Sequence, residues 1–374
     1  MAKKKSSRTR SRKKKRGGLI TMLWLAITSL FGGGVGGYYN PHWPVVGPML
    51  QNFRTQLATE GSEKIREALH LPQQAGGTAP SAVGTAPVSS GGQAQFASAT
   101  RPADKLLLAS FNIQVFGTSK MAKPDVMSII VHIIKQFDLV AIQEVRAQDD
   151  TILPQLVAML NADGSRYHFV IGPRQGRTVS TEQYAFVYDT NRVEYDPQSI
   201  GVMGDPQDLL HREPFVTRFR ARTSAPDRAF SFWLVNIHTD PDEVPTEVDA
   251  LADAFTAMQS ANPSEDDVIL LGDLNASAAQ MGRLGQIPGI HCIVGSQYMT
   301  NTRRSKAYDN IIVHAPSTGE FTGRWGVYNF QTQYRLSQEQ ALKISDHFPV
   351  WAEFHIWEAP QRGLVADRNP RQPR

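Results

Sequence analysis

A single cysteine, Cys292, stands among 374 residues, so no intrachain disulfide can form and cysteine usage leaves the redox compartment open. Acid is missing from the first sixteen residues, which hold ten Lys or Arg. So uniformly charged a run has little to bury and does not fold alone. Ten charges on this tail leave −6 for the remainder of a +4 chain. A mildly acidic body excludes a grip on polyanions by bulk charge. Any such grip needs a local basic patch or a metal ion.

Charged side chains (Asp, Glu, Lys, Arg) are also absent from residues 17–52 and again from 70–100. In the first gap Leu19 to Phe31 is strongly apolar and Gly32 to Gly37 is almost all glycine. Spanning a bilayer takes about 20 apolar residues, a length that Leu19 to Tyr39 reaches with the glycines counted. The expectation is a basic tail (1–18) and a signal-anchor segment (19–39), held N-terminus-in by the basic run. The globular part would then lie on the non-cytoplasmic side, with Tyr38, Tyr39 and Trp43 as aromatic anchors. Two alternatives stand beside it. One is a cleaved signal peptide and a secreted protein, against which no Ala-x-Ala-like site follows the apolar run. The other is a basic arm with a short hydrophobic helix, gripping nucleic acid or lipid headgroups.

Residues 40–103 read as short amphipathic helices (Leu50, Phe53, Leu57, then Ile65 and Leu69) followed by a flexible linker. The Gly, Ala, Ser, Thr and Pro content of Gln73 to Pro102 makes the linker. No internal repeat is present. From 104 to 358 the texture is that of one folded domain, and 359–374 is a tail.

In that domain, apolar strand-like runs repeatedly end on polar groups. Leu106 to Ile113 carries Ser110-Phe111-Asn112, and Leu139 to Arg146 carries Gln143-Glu144. Between them Val126, Ile129, Ile130, Ile133, Ile134 and Phe137 mark a helix with one apolar face. Further helices are expected over Thr151 to Leu160 and Glu247 to Met258. Strands are expected at Phe169 to Gly172, Tyr184 to Tyr188, Pro214 to Phe219, Phe230 to His238, Asp267 to Asn275 and Tyr308 to Val313. An Asp346-His347 pair opens the last run. Strands and helices in this order make an α/β layer whose site lies at the strand ends.

Each polar ending taken alone is equally well an exposed strand-end residue or a structural hydrogen bond. Together they compose a chemistry. Glu144, Asp346, Asp273, Asn112 and Asn275 are hard oxygen donors without a thiolate, which favours Mg²⁺, Mn²⁺ or Ca²⁺ over zinc. His238 and His347 are suited to give and take protons near neutral pH, with Glu182 and Asp309 available to fix their tautomers. Converging on one cleft, these groups would make a metal-assisted hydrolase. Loop arginines such as Arg174 and Arg177 suit phosphate, but solvated arginines are the commoner case.

The ordered set Phe-Asn-Ile, Gln-Glu-Val-Arg, Asn-Ile-His, Gly-Asp-Leu-Asn, Tyr-Asp-Asn and Ser-Asp-His-Phe-Pro-Val resembles the endonuclease/exonuclease/phosphatase superfamily over residues 104–358. Arg146, the Arg212 to Val216 segment and Ala307-Tyr308-Asp309 resemble its deoxyribonuclease I branch. His238 sets the chain apart from the abasic-site endonucleases, which usually lack that histidine. The resemblance implies a four-layer sandwich: two mostly antiparallel sheets face to face, with helices on the outer faces. It also implies roles. Glu144 and Asp346 hold the divalent ion, Mg²⁺ or Mn²⁺ with Ca²⁺ a further option, and Asn112 assists at the metal or the scissile phosphate. His238 with Glu182 and His347 with Asp309 form the acid–base pair. Asp273 and Asn275 position water or phosphate, Tyr184 lines the phosphate site, and Arg146 and Arg212 contact the DNA backbone and minor groove.

Ala278 and Lys306 stand where the secreted animal members carry a disulfide, so the loop after Asn275 lacks that staple, and the calcium-dependent stabilisation of those members is not carried over. The function expected is nonspecific DNA endonuclease. The alternative is a sphingomyelinase-like or inositol-phosphatase-like enzyme acting on a lipid or small-molecule phosphate. A non-enzymatic binding module is disfavoured, since no histidine or metal acid is lost. Thr239-Asp240-Pro241 after His238 is nearer the nuclease pattern.

Overall fold

Residues 101–359, except 149, 179–180 and 262–264, are described by the computed structural model. The expected basic tail, anchor segment, amphipathic helices and linker, and residues 360–374, lie outside the described residues. Among the described residues no helix is long and apolar enough to cross a membrane.

Strands β1 (Lys105–Phe116) and β2 (Leu139–Val145) are buried on both faces and pair in parallel. That double burial is why they read as unbroken apolar runs. With β3 (Tyr167–Ile171), β4 (Gln183–Asp189), β12 (Phe321–Val327) and β13 (Val350–His355) they form a six-stranded sheet ordered β12-β13-β1-β2-β4-β3. The second sheet contains β5 (Val193–Tyr195), β6 (Gly201–Val202), β7 (Phe215–Ala221), β8 (Ser231–His238), β9 (Val268–Asp273), β10 (Ile290–Cys292) and β11 (Asp309–His314). Its order is β10-β11-β9-β8-β7-β5, with β6 also pairing β7. The β8–β9 pair is parallel and the other pairs of that sheet are antiparallel.

Alternation along each strand builds three apolar layers. In β1, Leu107, Ala109 and Phe111 face the outer layer with α1 (Pro124–Ile134), α2 (Ile152–Leu160) and, later in the chain, Ala341 and Ile344. Leu106 and Leu108 face inward, against Phe215, Phe219, Leu234 and Leu271 of the other sheet. Val235, Val268 and Leu270 face outward on to α3 (Val244–Ala261). Each such side chain contributes about 1.5–3 kcal/mol on burial, so the layers hold the sheets in register. The expected four-layer sandwich is the observed one.

Four strands went unforeseen. β5, β6 and β10 are two or three residues long, too short to carry a period. In β12 the pairing register shifts between Phe321 and Trp325, with Gly323 at φ 83°. The helix α4 (Gln338–Ile344) was also unforeseen, although Ser337 and Gln340 form a capping box at its start.

Candidate active site

The inward faces of the strands change from apolar to polar toward one rim of the sandwich. In β1 the inward series runs Leu108, Ser110, Asn112, and in β8 it runs Leu234, Asn236, His238. In β9 Asp273 follows Leu271, in β11 Asp309 precedes Ile311, and Glu182 stands two residues before Tyr184 of β4. Register aligns them. His238 pairs with Asp273 across the parallel strands, and Asp273 pairs with Asp309 across the antiparallel ones. Period-two alternation thus delivers these groups to one end of the layer between the sheets.

Two local departures complete the delivery. The β2 ladder shifts register between Ile142 and Val145, and the β1–β2 ladder shifts between Asn112 and Phe116. Glu144 within this bulge has φ 65°, and Val115 has φ 48°. Such backbone is costly for non-glycine residues and persists where the surroundings over-determine it. Here it re-aims Glu144, as bulges do beside functional sites. In the Gly-Asp-Leu-Asn motif the glycine serves close approach. A Cβ on Gly272 would lie 1.8 Å from the Ile237 carbonyl oxygen.

The two histidines are held alike. His238 Nδ1 donates to Glu182 Oε1 at 2.8 Å, and His347 Nδ1 donates to Asp309 Oδ2 at 2.8 Å. Each bond fixes the tautomer that leaves Nε2 for chemistry. The two Nε2 atoms lie 3.6 and 3.4 Å from the same Asp273 Oδ2. Burial pushes both imidazoles toward neutrality. For His238 the Glu182 and Asp273 charges outweigh burial and raise its pKa above the ordinary value. For His347 the Asp309 and Asp273 charges raise it well above. Burial opposes the Asp273 charge too, but the two imidazoles hold that carboxyl below the usual range.

A second group of oxygens faces the same rim. Asn112 Nδ2 donates to Glu144 Oε1 at 3.2 Å and to Asp273 Oδ2 at 3.1 Å. Its Oδ1 is buried and, among the described residues, accepts nothing; the same holds for Asp346 Oδ1. Burial and the Glu144 charge push Asp346 above the usual carboxylate range, against the pull of His347. Orphaned oxygens beside two mutually repelling carboxyls, with no sulfur, fit a hard divalent ion. Asp273, Asp309 and His347 also present ligand atoms within 4.8 Å of one another. In that trio the His347 Nδ1 and Asp309 Oδ2 atoms are already engaged with each other at 2.8 Å.

The groups line an open cleft of about 300 Å³, shared by Glu144, Arg146, His238, Asp273, Asn275 and His347. Asn275, at φ 48°, donates from Nδ2 to the Thr239 carbonyl at 2.9 Å. Arg146, 28% exposed, reaches Glu144 at 3.1 Å and Glu182 at 3.5 Å.

Two residues expected to contact DNA or phosphate are buried, Arg212 in the wall of the cleft and Tyr184 beneath it. Arg212 is 5% exposed, and its guanidinium donates to the carbonyls of His238 (2.9 Å) and Thr239 (3.2 Å), with Glu182 at 3.5 Å. Its guanidinium braces the histidine turn from the cleft wall. Tyr184 is buried, and its hydroxyl accepts from the His238 N–H at 2.9 Å, which places it behind the histidine rather than at the phosphate.

Two neighbours were not foreseen. Gln114 Nε2 donates to Asp346 Oδ2 at 2.8 Å. Lys120 is buried with its Nζ donating to the Ile344 carbonyl at 2.6 Å; burial lowers it to about 8 against the charges of Glu144 and Asp346. Gln114 follows the Phe-Asn-Ile motif at inward spacing and was readable, whereas nothing local marks Lys120.

Residues 109–347 match the Endonuclease/Exonuclease/phosphatase family. The chain belongs to that family and is a hydrolase of phosphodiester bonds. It is similar to deoxyribonuclease gamma of Rattus norvegicus, 35% identical over 261 residues, covering 66% of this chain and 83% of that one. Deoxyribonuclease-1-like 1 of Homo sapiens is 33% identical over 264 residues (67% and 85%). Deoxyribonuclease-1 of Gallus gallus is 32% identical over 267 residues (67% and 92%). Within the family the chain therefore falls in the deoxyribonuclease I branch.

Proposed function

We propose that this protein is a divalent-metal-dependent, nonspecific DNA endonuclease in which His238 and His347 are the acid–base pair. The observation that carries the reading is the matched pair of imidazoles, each fixed at Nδ1 by its own buried carboxylate, sharing Asp273 between their Nε2 atoms. Groups coupled through one carboxylate titrate as a pair. Loss of one proton leaves Asp273 to stabilise the other imidazolium, so near neutral pH one ring is set to accept and its partner to donate. The neutral ring takes the proton of the attacking water, and the charged ring protonates the leaving 3′ or 5′ oxygen. Glu144 and Asp346, helped by Asn112, would hold Mg²⁺ or Mn²⁺. When bound, the ion offsets charge on the phosphorane-like transition state. Asn275 and Arg146 hold the phosphate in the cleft, while Tyr184 and Arg212 position His238. The names of the relatives support DNA as substrate. Display of the domain from a membrane by residues 19–39, or secretion, rests on the sequence alone.

The full chain, incubated with supercoiled plasmid, should nick it with Mg²⁺ or Mn²⁺ and not with EDTA. His238→Ala and His347→Ala should each cost about 10² or more in turnover. Near-normal turnover in either variant removes that histidine from the mechanism. A folded wild-type protein that leaves plasmid intact, yet hydrolyses a lipid or small phosphodiester, overturns the DNA assignment.

A further inference from the structure

At the rim opposite the cleft lies a second concentration of acid. Asp267 immediately precedes β9, Glu320 immediately precedes β12, and Glu358 follows β13. These three carboxylates offer oxygens all within 4.8 Å of one another, in an open cavity of about 350 Å³ also lined by Glu265 and Asp266. The one arginine lining that cavity, Arg220, already donates to Glu194. Two of the acids are buried (Asp267 2% exposed, Glu320 1%). Asp267 Oδ1 and Glu320 Oε2 are buried oxygens that, among the described residues, accept no hydrogen bond. Thr318 hydrogen-bonds Asp267 from its side chain, Ala359 N–H donates to Glu320 and Ser231 N–H to Glu358.

Leaving a carboxylate buried and unpartnered costs far more than leaving it in water. Glu320 and Glu358 moreover approach each other at hydrogen-bonding range, and burial together with Glu320 raises Glu358 to about 7. Two acceptors at that range need a proton or a cation between them.

We propose that Asp267, Glu320 and Glu358 form a structural Ca²⁺ site, separate from the catalytic cleft. The donors are all carboxylate oxygens, the chemistry of a hard cation. Three carboxylates offer up to six oxygens, which suits the six to eight ligands of Ca²⁺, whereas Mg²⁺ is usually held by one or two carboxylates and keeps its waters. The site joins the starts of β9 and β12 to the chain leaving β13, so its ion ties both sheets together. Because Asp267 and Asp273 bracket the extended run of β9, the two centres stand about 20 Å apart along one strand.

The test uses the full chain carrying Glu144→Gln and Asp346→Asn, which disables the catalytic acids as ligands. Thermal melting in CaCl₂ against EDTA should show a rise of roughly 5 °C or more at Ca²⁺ a hundredfold above its Kd. Adding Asp267→Asn and Glu320→Gln should abolish the rise and lift the melting temperature in EDTA, by removing repulsion. Trp357 adjoins Glu358 and is 38% exposed, so Tb³⁺ luminescence excited through tryptophan gives a second readout that needs no unfolding. Calcium should displace it, and Asp267→Asn with Glu320→Gln should remove it. A calcium-dependent rise that survives those two substitutions overturns the proposal, as does an equal rise with Mg²⁺. So does a melting temperature indifferent to calcium that falls with rising pH in both media, the behaviour of a shared proton.

Discussion

Glu182→Gln isolates the charge that supports His238 while keeping an acceptor of the same shape. Glu182 is fully buried and 2.8 Å from His238 Nδ1. At an effective dielectric of about 20, unit charges at that separation attract by about 6 kcal/mol. Two guanidinium groups, Arg146 and Arg212, each 3.5 Å away, draw on the same carboxylate, and burial opposes the charged ring. What remains of that attraction is lost in the variant, so the His238 pKa should fall. The variant should lose about 10- to 100-fold in kcat, less than removing the ring outright. The assay is plasmid nicking across pH 5.5 to 9.5 at saturating Mg²⁺. The limb governed by His238 should move to lower pH, with little change in KM. A correctly folded variant whose limbs stay within about 0.3 unit of wild type would refute the pairing as the source of the raised pKa.

Gly272→Ala puts a methyl 1.8 Å from the Ile237 carbonyl; urea unfolding should show a loss of about 3 kcal/mol or more, and a loss under about 1 kcal/mol would mean the strands part easily. Arg146→Ala should weaken DNA binding and shrink the slope of log K against log salt by about one; an unchanged slope places DNA away from that arginine. Glu247 is fully buried, and burial raises it to about 7. A folded pKa above the unfolded one contributes stability in full below about pH 4.5 and loses it as pH rises through 7. About 3 kcal/mol should therefore go over that interval, and Glu247→Gln should flatten the curve; identical pH–stability curves for both proteins would disprove it.

The fold was legible where strands are long and buried on both faces. Leu106 to Ile113 and Leu139 to Val145 have no polar face to confuse the reading, whereas β10 or β5 offers three residues at an edge. The site was legible because its groups end such strands, where the change from Leu271 to Asp273 or Leu234 to His238 is visible in the letters. What a side chain does after leaving the backbone was not. Arg212 follows His211 in a loop of ordinary appearance, and only the folded chain turns its guanidinium inward on the carbonyls of His238 and Thr239. Tyr184 likewise looked like a cleft residue until register put its hydroxyl under the His238 amide. The second acidic cluster was invisible because its members come from three segments more than 30 residues apart along the chain.

The pairing of β1 with β13 has a consequence for synthesis. The first strand of the domain pairs early with β2 but finds its other neighbour only in the last strand, and Asp346 and His347 arrive on that same closing segment. A nascent chain on the ribosome that has released Asn112, Glu144, His238 and Asp273 still lacks an acid and a histidine until Asp346 and His347 have emerged. On the proposed mechanism, copies that end before Asp346 would lack both groups, and the hydrolase would become competent only after its final strand has been laid in.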